Sequence, residues 1–199
     1  MEWATAGRPL PGEHVSGDQP IAIGIDDDAA LFGVMDGLGH GAAAAAAALR
    51  AVDTLENARA QRLEVLVQLC HRVLGGTRGV AMTLARVDFA AGTLAWTGVG
   101  NVTADLVAKS ATGIQVRSSA RLTAGIVGYR IPDIRPAQVV PIRAGDLIVI
   151  ATDGIAEDHL QHIDFAASAT VIATELLSRH AKGTDDAMVL TARHRGAST

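Results

Sequence analysis

Four acidic positions constrain this chain most, because each lies where an apolar segment meets a glycine or a polar turn. They are Asp18 in SGDQP, Asp36 in VMDGLGHG, Asp153 in IATDGIAED, and Asp185 with its neighbour Asp186 in KGTDDAMVL. Carboxylates clustered at the ends of buried strands repel one another and lose hydration unless cations or strong donors compensate them. A fold that gathers these strand ends must therefore supply positive charge. Any one Asp-Gly taken alone is an ordinary turn; the ordered set carries the information.

The segments around these acids divide cleanly. Residues 20–25 (PIAIGI) and 31–35 (LFGVM) flank the acidic DDDAA turn and read as adjacent antiparallel strands. Pairing about the loop at 26–30 puts the chain near Asp18 opposite the chain near Asp36. From His40 the pattern turns helical, with Leu49, Val52 and Leu55 three apart and alanine throughout 42–48. After a break near Asn57, a second stripe of Leu63, Leu66, Val67, Cys70 and Leu74 runs up to Gly75 and Gly76.

Residues 79–88, 93–100, 102–109 and 113–118 then predict an antiparallel meander, with turns at Ala90–Gly92 and Thr112-Gly113. The stretch 120–141 contains Gly125, Gly128, Pro132 and Pro136, which predicts an irregular connection with one short strand, its length that of a mobile or binding loop. Asp146–Thr152 is an apolar strand running into Asp153-Gly154. Asp164 is placed to cap a helix carrying Phe165, Ala169, Ile172 and Leu176, and Gly183 precedes a last strand over 187–192 and a frayed tail over 196–199. Two antiparallel sheets packed face to face, with helices outside each, would bury every stripe. The expected fold is α+β, a four-layer αββα sandwich in a single domain over residues 1–199.

Composition narrows the possible partners. Of 199 residues, 49% are apolar but only 3% aromatic, so the core must be built from Ala, Val, Leu and Ile, and its elements must approach closely. The net charge of −4 and the lack of a basic tract argue against nucleic acid as a partner. Cys70, the single cysteine, reads as a small core residue, which fits a cytoplasmic location. The start MEWATAGRPLPGEH has neither a basic leader nor an apolar core, and no run reaches membrane-spanning length. A soluble protein with no membrane partner is expected, and without a heptad repeat it is expected to be a monomer.

Oxygen donors of this kind suit hard divalent cations such as Mg²⁺ or Mn²⁺. Asp36 can bridge two ions, and Gly37 exposes a backbone carbonyl where a side chain would obstruct approach. Two ions about 3.5 to 4 Å apart can hold a phosphate and acidify the water between them for attack on phosphorus. No protein nucleophile is indicated: Ser16 and Thr152 flank the acids without a Ser/His/Asp pattern and read as capping or packing residues. GLGHG before a helix could instead meet a nucleotide's phosphates. It lacks GxGxxG spacing, however, and the chain contains no GxxxxGK[ST] run.

In the order SGD (16–18), DGLGHG (36–41), ATDG (151–154) and DDAMVL (185–190), the chain resembles the PP2C-type metal-dependent protein phosphatases. The likeness is to their compact bacterial, SpoIIE-like branch, which includes the RsbX-like stressosome phosphatases. The resemblance implies Asp18 as a ligand of one metal, Asp36 as the bridging ligand, the Gly37 carbonyl on the other metal, and Asp153 and Asp185 as the remaining carboxylate ligands. Asp186 is not expected to touch metal. It further implies a β-sandwich between pairs of helices, two divalent cations (Mn²⁺ or Mg²⁺), and a metal-bridging water in place of any catalytic side chain. By the same resemblance, the substrates would be phosphorylated STAS-domain proteins of a stressosome-like complex. The alternative is a catalytically weak or inactive phosphoprotein-binding module of the same fold.

Three positions depart from the larger relatives. His14 stands where many carry a phosphate-binding arginine. Leu38 follows Asp-Gly, and His40 in GLGHG is open to three roles: fastening the helix start, donating a hydrogen bond near the leaving group, or acting as general acid. Asn101 in GVGN replaces an aspartate that helps to hold an additional metal, which favours a two-metal resting site. The short span from Asp153 to Asp185 leaves little room for a flap, so an open cleft suited to a folded protein is expected. Arg121, Arg130 and Arg135 are candidate contacts for an acidic partner.

Overall fold

A computed structural model describes residues 1–111 and 113–196. Strands β1 (Glu2–Arg8), β2 (Asp18–Gly24) and β3 (Ala29–Gly37) precede helices α1 (Ala42–Ala58) and α2 (Leu63–Val73). Strands β4 (Val80–Asp88), β5 (Thr93–Val99), β6 (Thr103–Ser110), β7 (Gly113–Ser119), β8 (Leu122–Thr123), β9 (Gln138–Pro141) and β10 (Leu147–Ala151) follow. A 3-10 turn over His159–His162, helix α3 (Ala169–His180) and strand β11 (Ala187–Arg193) complete the chain.

One sheet has the order β1-β11-β10-β6-β7, and the other β2-β3-β4-β5-β8 with β9 also on β5. Period-two alternation explains how they stack. On β3, Phe32 and Val34 face the opposing sheet, while Leu31 and Met35 face the helices. On β10, Ile148 and Ile150 point between the sheets, and Leu147, Val149 and Ala151 point outward. Trp96 and Leu94 of β5 meet this inner layer with Leu190 and Ala192 of β11. The α1 alanines Ala47, Ala48 and Ala51 and the α2 stripe Leu66, Val67 and Cys70 cover the second sheet. Ile172 and Leu176 of α3 cover the first. The four-layer αββα order is the one expected, with α3 and the 3-10 turn forming one outer layer in place of a pair of helices.

Several local expectations change. The N-terminal segment forms strand β1, paired along its whole length with β11; its alternation, EWATAGR, is only half-buried and gives a weak strand signal. The expected meander is split: β4 and β5 belong to one sheet, β6 and β7 to the other. Residues 100–102 therefore cross between layers, which carries Asn101 to the sandwich edge. The 120–141 connection holds two short strands, and β8 runs parallel to β5. The expected Thr112 turn and the tail beyond Gly196 lie outside the described residues. Among the described residues, no helix is long and apolar enough to cross a membrane.

Asp164 does not cap α3. Its Oδ1 accepts from the Ala166 amide at 2.8 Å in a preceding turn, and Ser168 takes the N-cap, its Oγ accepting from the Val171 amide at 3.3 Å. The turn separates Phe165 from the helix. Ser168→Ala should therefore lower stability by about 1 kcal/mol in urea unfolding, and Asp164→Ala by less; the reverse ranking would restore Asp164 as the cap.

Candidate metal centre

The register of β2 and β3 sets Asp18 directly opposite Asp36. This follows from the short DDDAA connection, which fixes how far the two strands extend together. From the other sheet, β10 ends one residue before Thr152, whose hydroxyl donates to Asp18 Oδ2 at 2.8 Å and accepts from the Met188 amide at 3.0 Å. Thr152 thus joins the edges of both sheets, and Asp153 emerges beside the pair. Asp185 and Asp186 arrive on the chain leading into β11. Both oxygens of buried Asp186 are engaged, Oδ1 by the Leu10 amide at 2.7 Å and Oδ2 by the Gly17 amide at 2.8 Å. Among the described residues, Asp185 Oδ1 accepts from the Asp186 amide alone, at 2.8 Å.

Glycine makes this closeness possible. A Cβ on Gly37 would collide with the Ala44 carbonyl in the first turn of α1, and a Cβ on Gly154 would collide with the Asp186 carbonyl. The two Asp-Gly pairs are therefore steric requirements, since each glycine lets a second backbone pass against the strand end that bears the acid.

Burial, chiefly, raises the Asp36 carboxyl to about 8, and the charges of Asp18, Asp153, Asp185 and Asp186 add to the rise. Burial likewise raises Asp18 to about 7; the Thr152 hydrogen bond opposes this, and Asp186, Asp185 and Asp153 reinforce it. No hydrogen-bond donor meets the Asp36 carboxyl among the described residues. Also among the described residues, no group of three or more Asp, Glu, His or Cys side chains closes on a single point. Mutual repulsion is sensed by the acids even though they do not form one tight cage, a spread compatible with two ions that also draw on a backbone carbonyl and water. The all-oxygen donor set and the uncompensated Asp36 fit hard divalent cations. Asp18, Asp36, the Gly37 carbonyl, Asp153 and Asp185 are the groups that would hold them.

Neighbouring residues support this edge. Asn101 Nδ2 donates to Asp153 Oδ2 at 2.7 Å, which places the neutral residue of GVGN against a candidate ligand. Lys182 Nζ donates to the Asp153 carbonyl at 2.7 Å. His40 Nδ1 lies 2.6 Å from Glu13 Oε1, and Glu13 also lies beside Gly41, so the geometry matches fastening of the helix start. Arg78 Nη1 reaches the Leu38 carbonyl at 3.4 Å. His14 is exposed. Ser16 Oγ accepts from the Asp18 amide at 3.1 Å, a turn-capping role. Buried Cys70 has its thiol pushed up to about 12 by desolvation, in keeping with a core residue. Glu13, Arg78 and Lys182 were not singled out from sequence; only Lys182, three residues before Asp185, carried a positional hint.

Residues 26–195 match the family described as Stage II sporulation protein E (SpoIIE). The chain belongs to the SpoIIE family, and with it to the PP2C-type phosphatases. Over 91 residues this SpoIIE-family chain is 26% identical to the phosphoserine phosphatase RsbX of Bacillus subtilis (strain 168), a match spanning 46% of this chain and 45% of RsbX. It superposes with a TM-score of 0.86 and 31% identity on a chain from "The bacterial stressosome: a modular system that has been adapted to control secondary messenger signaling", covering 96% of this chain and 98% of that one. RsbX in complex with magnesium superposes with a TM-score of 0.77 and 20% identity, over 95% of this chain and 92% of that one, which shows a shared fold. The family indicated by the four acidic motifs is the family found.

Asp18 and Asp36 hold protons more tightly in the folded, metal-free chain than when unfolded. Their contribution favours the folded state at low pH and is lost as pH rises through about 7 and 8. The thermal midpoint of chelator-treated protein should fall between pH 5.5 and 8.5, and saturating Mn²⁺ should restore most of the loss. A midpoint that stays flat, with no response to Mn²⁺, would contradict the uncompensated pair. Calorimetric titration gives a second check: Asp185→Ala should weaken divalent-cation binding with little change in metal-free stability. Asp186→Ala should instead lower metal-free stability by about 2 kcal/mol or more, because two amides lose a charged acceptor.

Proposed function

We propose that this chain is a metal-dependent phosphatase that removes phosphate from serine or threonine of a partner protein, in an RsbX-like role on phosphorylated STAS-domain proteins. The observation that carries the reading is the facing Asp18–Asp36 pair, raised to about 7 and 8 by burial and by the neighbouring carboxylates. Two divalent ions, when bound there, supply charge balance for the phosphate and an acidified water. Asp36 would bridge the ions, Asp18 would hold one and the Gly37 carbonyl the other, and Asp153 and Asp185 would supply the remaining carboxylates. Thr152 orients Asp18 through its hydroxyl, and Asn101 orients Asp153. The likeness to a stressosome-derived chain and to RsbX supports the choice of partner class.

Phosphate alone cannot tell one phosphoprotein from another, so surfaces beside the centre must add selectivity. The 120–141 segment is suited to this. Exposed Tyr129 and Arg130 border a hollow of about 540 Å³, and Arg121 and Arg135 border another of about 260 Å³. Its hairpin bridges Val80 through Val127, which keeps the segment beside the strand paired with β3. The protein would engage its partner as a monomer.

Asp36→Asn should reduce Mn²⁺-dependent turnover of a phosphorylated STAS-domain protein by at least about a hundredfold (~3 kcal/mol of barrier) while circular dichroism stays unchanged. Near-normal turnover with metal still bound would remove Asp36 from its bridging role; retained phosphoprotein binding without turnover by the unaltered chain would favour the binding-module alternative. The intact phosphoprotein should also be cleaved with higher kcat/KM than a short phosphopeptide from the same site. Neutralising Arg121, Arg130 and Arg135 together should narrow that gap, and an unchanged gap would exclude these arginines as its main source.

A further inference from the structure

On the α1 side of the turn that carries Asp36 and Gly37 lies a hollow of about 580 Å³, walled by Arg50 and Arg78 with Ala43, Ala46, Gly76 and Thr77. Hydrogen bonds fix it against that turn. The Leu38 amide donates to the Gly79 carbonyl at 3.1 Å, and Arg78 Nη1 donates to the Leu38 carbonyl at 3.4 Å. Gly39 keeps this approach clear, because a Cβ there would stand 2.7 Å from Arg78 Nη1. Thr77 steadies the chain on the other side of Arg78: its hydroxyl donates to the Leu74 carbonyl at 2.7 Å and accepts from the Gly79 amide at 3.0 Å.

Both charged groups in this wall are cations. Arg50 and Arg78 are exposed, and neither has an ion-pair partner among the described residues. Asp53, the acid nearest to Arg50 along α1, lies instead against Asn57 Nδ2 at 3.3 Å. Arg78 uses one N–H on Leu38, so most of both guanidinium forks remains open. Alanine and glycine make up the rest of the wall and leave room for the stem of an entering side chain. The two arginines repel a cation. An anion entering the hollow meets planar forks of donors that match a carboxylate or a phosphate. In the phosphatase reading the substrate's phosphate belongs to the metal centre, so the group left to reach the hollow is an acidic side chain beside the phosphosite. An extended chain advances about 3.3 Å per residue, which brings an acid a few residues from the phosphate across the DGLG turn.

We propose that this hollow receives the carboxylate of an aspartate or glutamate lying within a few residues of the phosphoserine or phosphothreonine of the partner protein. The inference rests on the phosphatase reading and deepens it, because it gives the centre a preference for phosphosites with an acidic neighbour. Arg50 and Arg78 are then specificity-determining residues, outside the chemistry at phosphorus.

The test uses phosphoserine peptides in which glutamate is moved through the positions on either side of the phosphate, with glutamine as the neutral control. The full chain with Mn²⁺ at low salt should cleave the best glutamate peptide with a kcat/KM about fivefold above that of its glutamine counterpart, the scale of a solvent-accessible ion pair. The ratio should approach one at about 0.5 M NaCl, where exposed charges are screened. Arg50→Gln should bring the low-salt ratio below about twofold while hydrolysis of para-nitrophenyl phosphate stays within about twofold. Arg78→Gln should also lower the ratio; comparing two peptides within that variant cancels any change it makes at the neighbouring metal turn. Equal cleavage of glutamate and glutamine peptides at every position, or a ratio unchanged in Arg50→Gln, would overturn the proposal. So would a preference for a second phosphoserine, lost in Arg50→Gln, with no preference for glutamate, which would assign the hollow to a second phosphate. Fluorescence anisotropy with the same peptides separates the two readings. A glutamate preference in binding that Arg50→Gln abolishes, with no hydrolysis of any phosphopeptide, would sink the phosphatase and keep the hollow; hydrolysis with no glutamate preference would sink the hollow and keep the phosphatase.

Discussion

Repulsion between like charges is the constraint on which the rest of the molecule depends. Asp18, buried, and Asp36, half-buried, face each other across β2 and β3, and three more carboxylates bear on them. A folded chain tolerates this arrangement in two ways: by holding protons there, or by holding cations. The surrounding structure is built to keep the acids close regardless. Thr152 pins Asp18 from the other sheet, and Asp186 clamps the chain at Leu10 and Gly17 so that the strand bearing Asp18 cannot drift away.

Small residues let the layers close over this charge. Gly37 accepts the backbone of Ala44 against it, and Gly154 accepts that of Asp186. A chain that is 3% aromatic builds most of its layers from alanine, valine, leucine and isoleucine, and helix α1 can then rest almost on the strand end that carries Asp36. The sandwich interior and the acidic edge are therefore aspects of one packing solution. Trp96 and Phe32, the largest wholly buried side chains, lie between the sheets.

On this edge Asp36 has no hydrogen-bond donor among the described residues, and Asp18 has one in the Thr152 hydroxyl. Lys182 holds the Asp153 backbone through its carbonyl. Asn101 reaches Asp153 only because the chain crosses between sheets after β5. A residue that is neutral where larger relatives carry an acid serves here as a hydrogen-bond donor to a candidate ligand.

Much of this was legible in the sequence, because hydrophobic periodicity and acid-glycine punctuation are local signals. The paired strands around DDDAA, the two helices after His40, the apolar run into Asp153-Gly154 and the ordered acids Asp18, Asp36, Asp153 and Asp185 followed from residue type and spacing, and with the family resemblance they reached the fold. What the sequence could not reveal depended on partners distant along the chain. Strand β1 is half exposed and takes its place from β11, Ser168 displaces Asp164 as a cap because a turn intervenes, and β6 leaves the sheet of β5 because it pairs edge to edge with β10. The clamp by Asp186 on residues 10 and 17 exists only once the layers have closed. Local pattern determined which residues become strand, helix and acidic turn; burial against remote neighbours decided which oxygens were engaged and which remained open for a ligand, since hydrogen-bond satisfaction is a property of the packed whole.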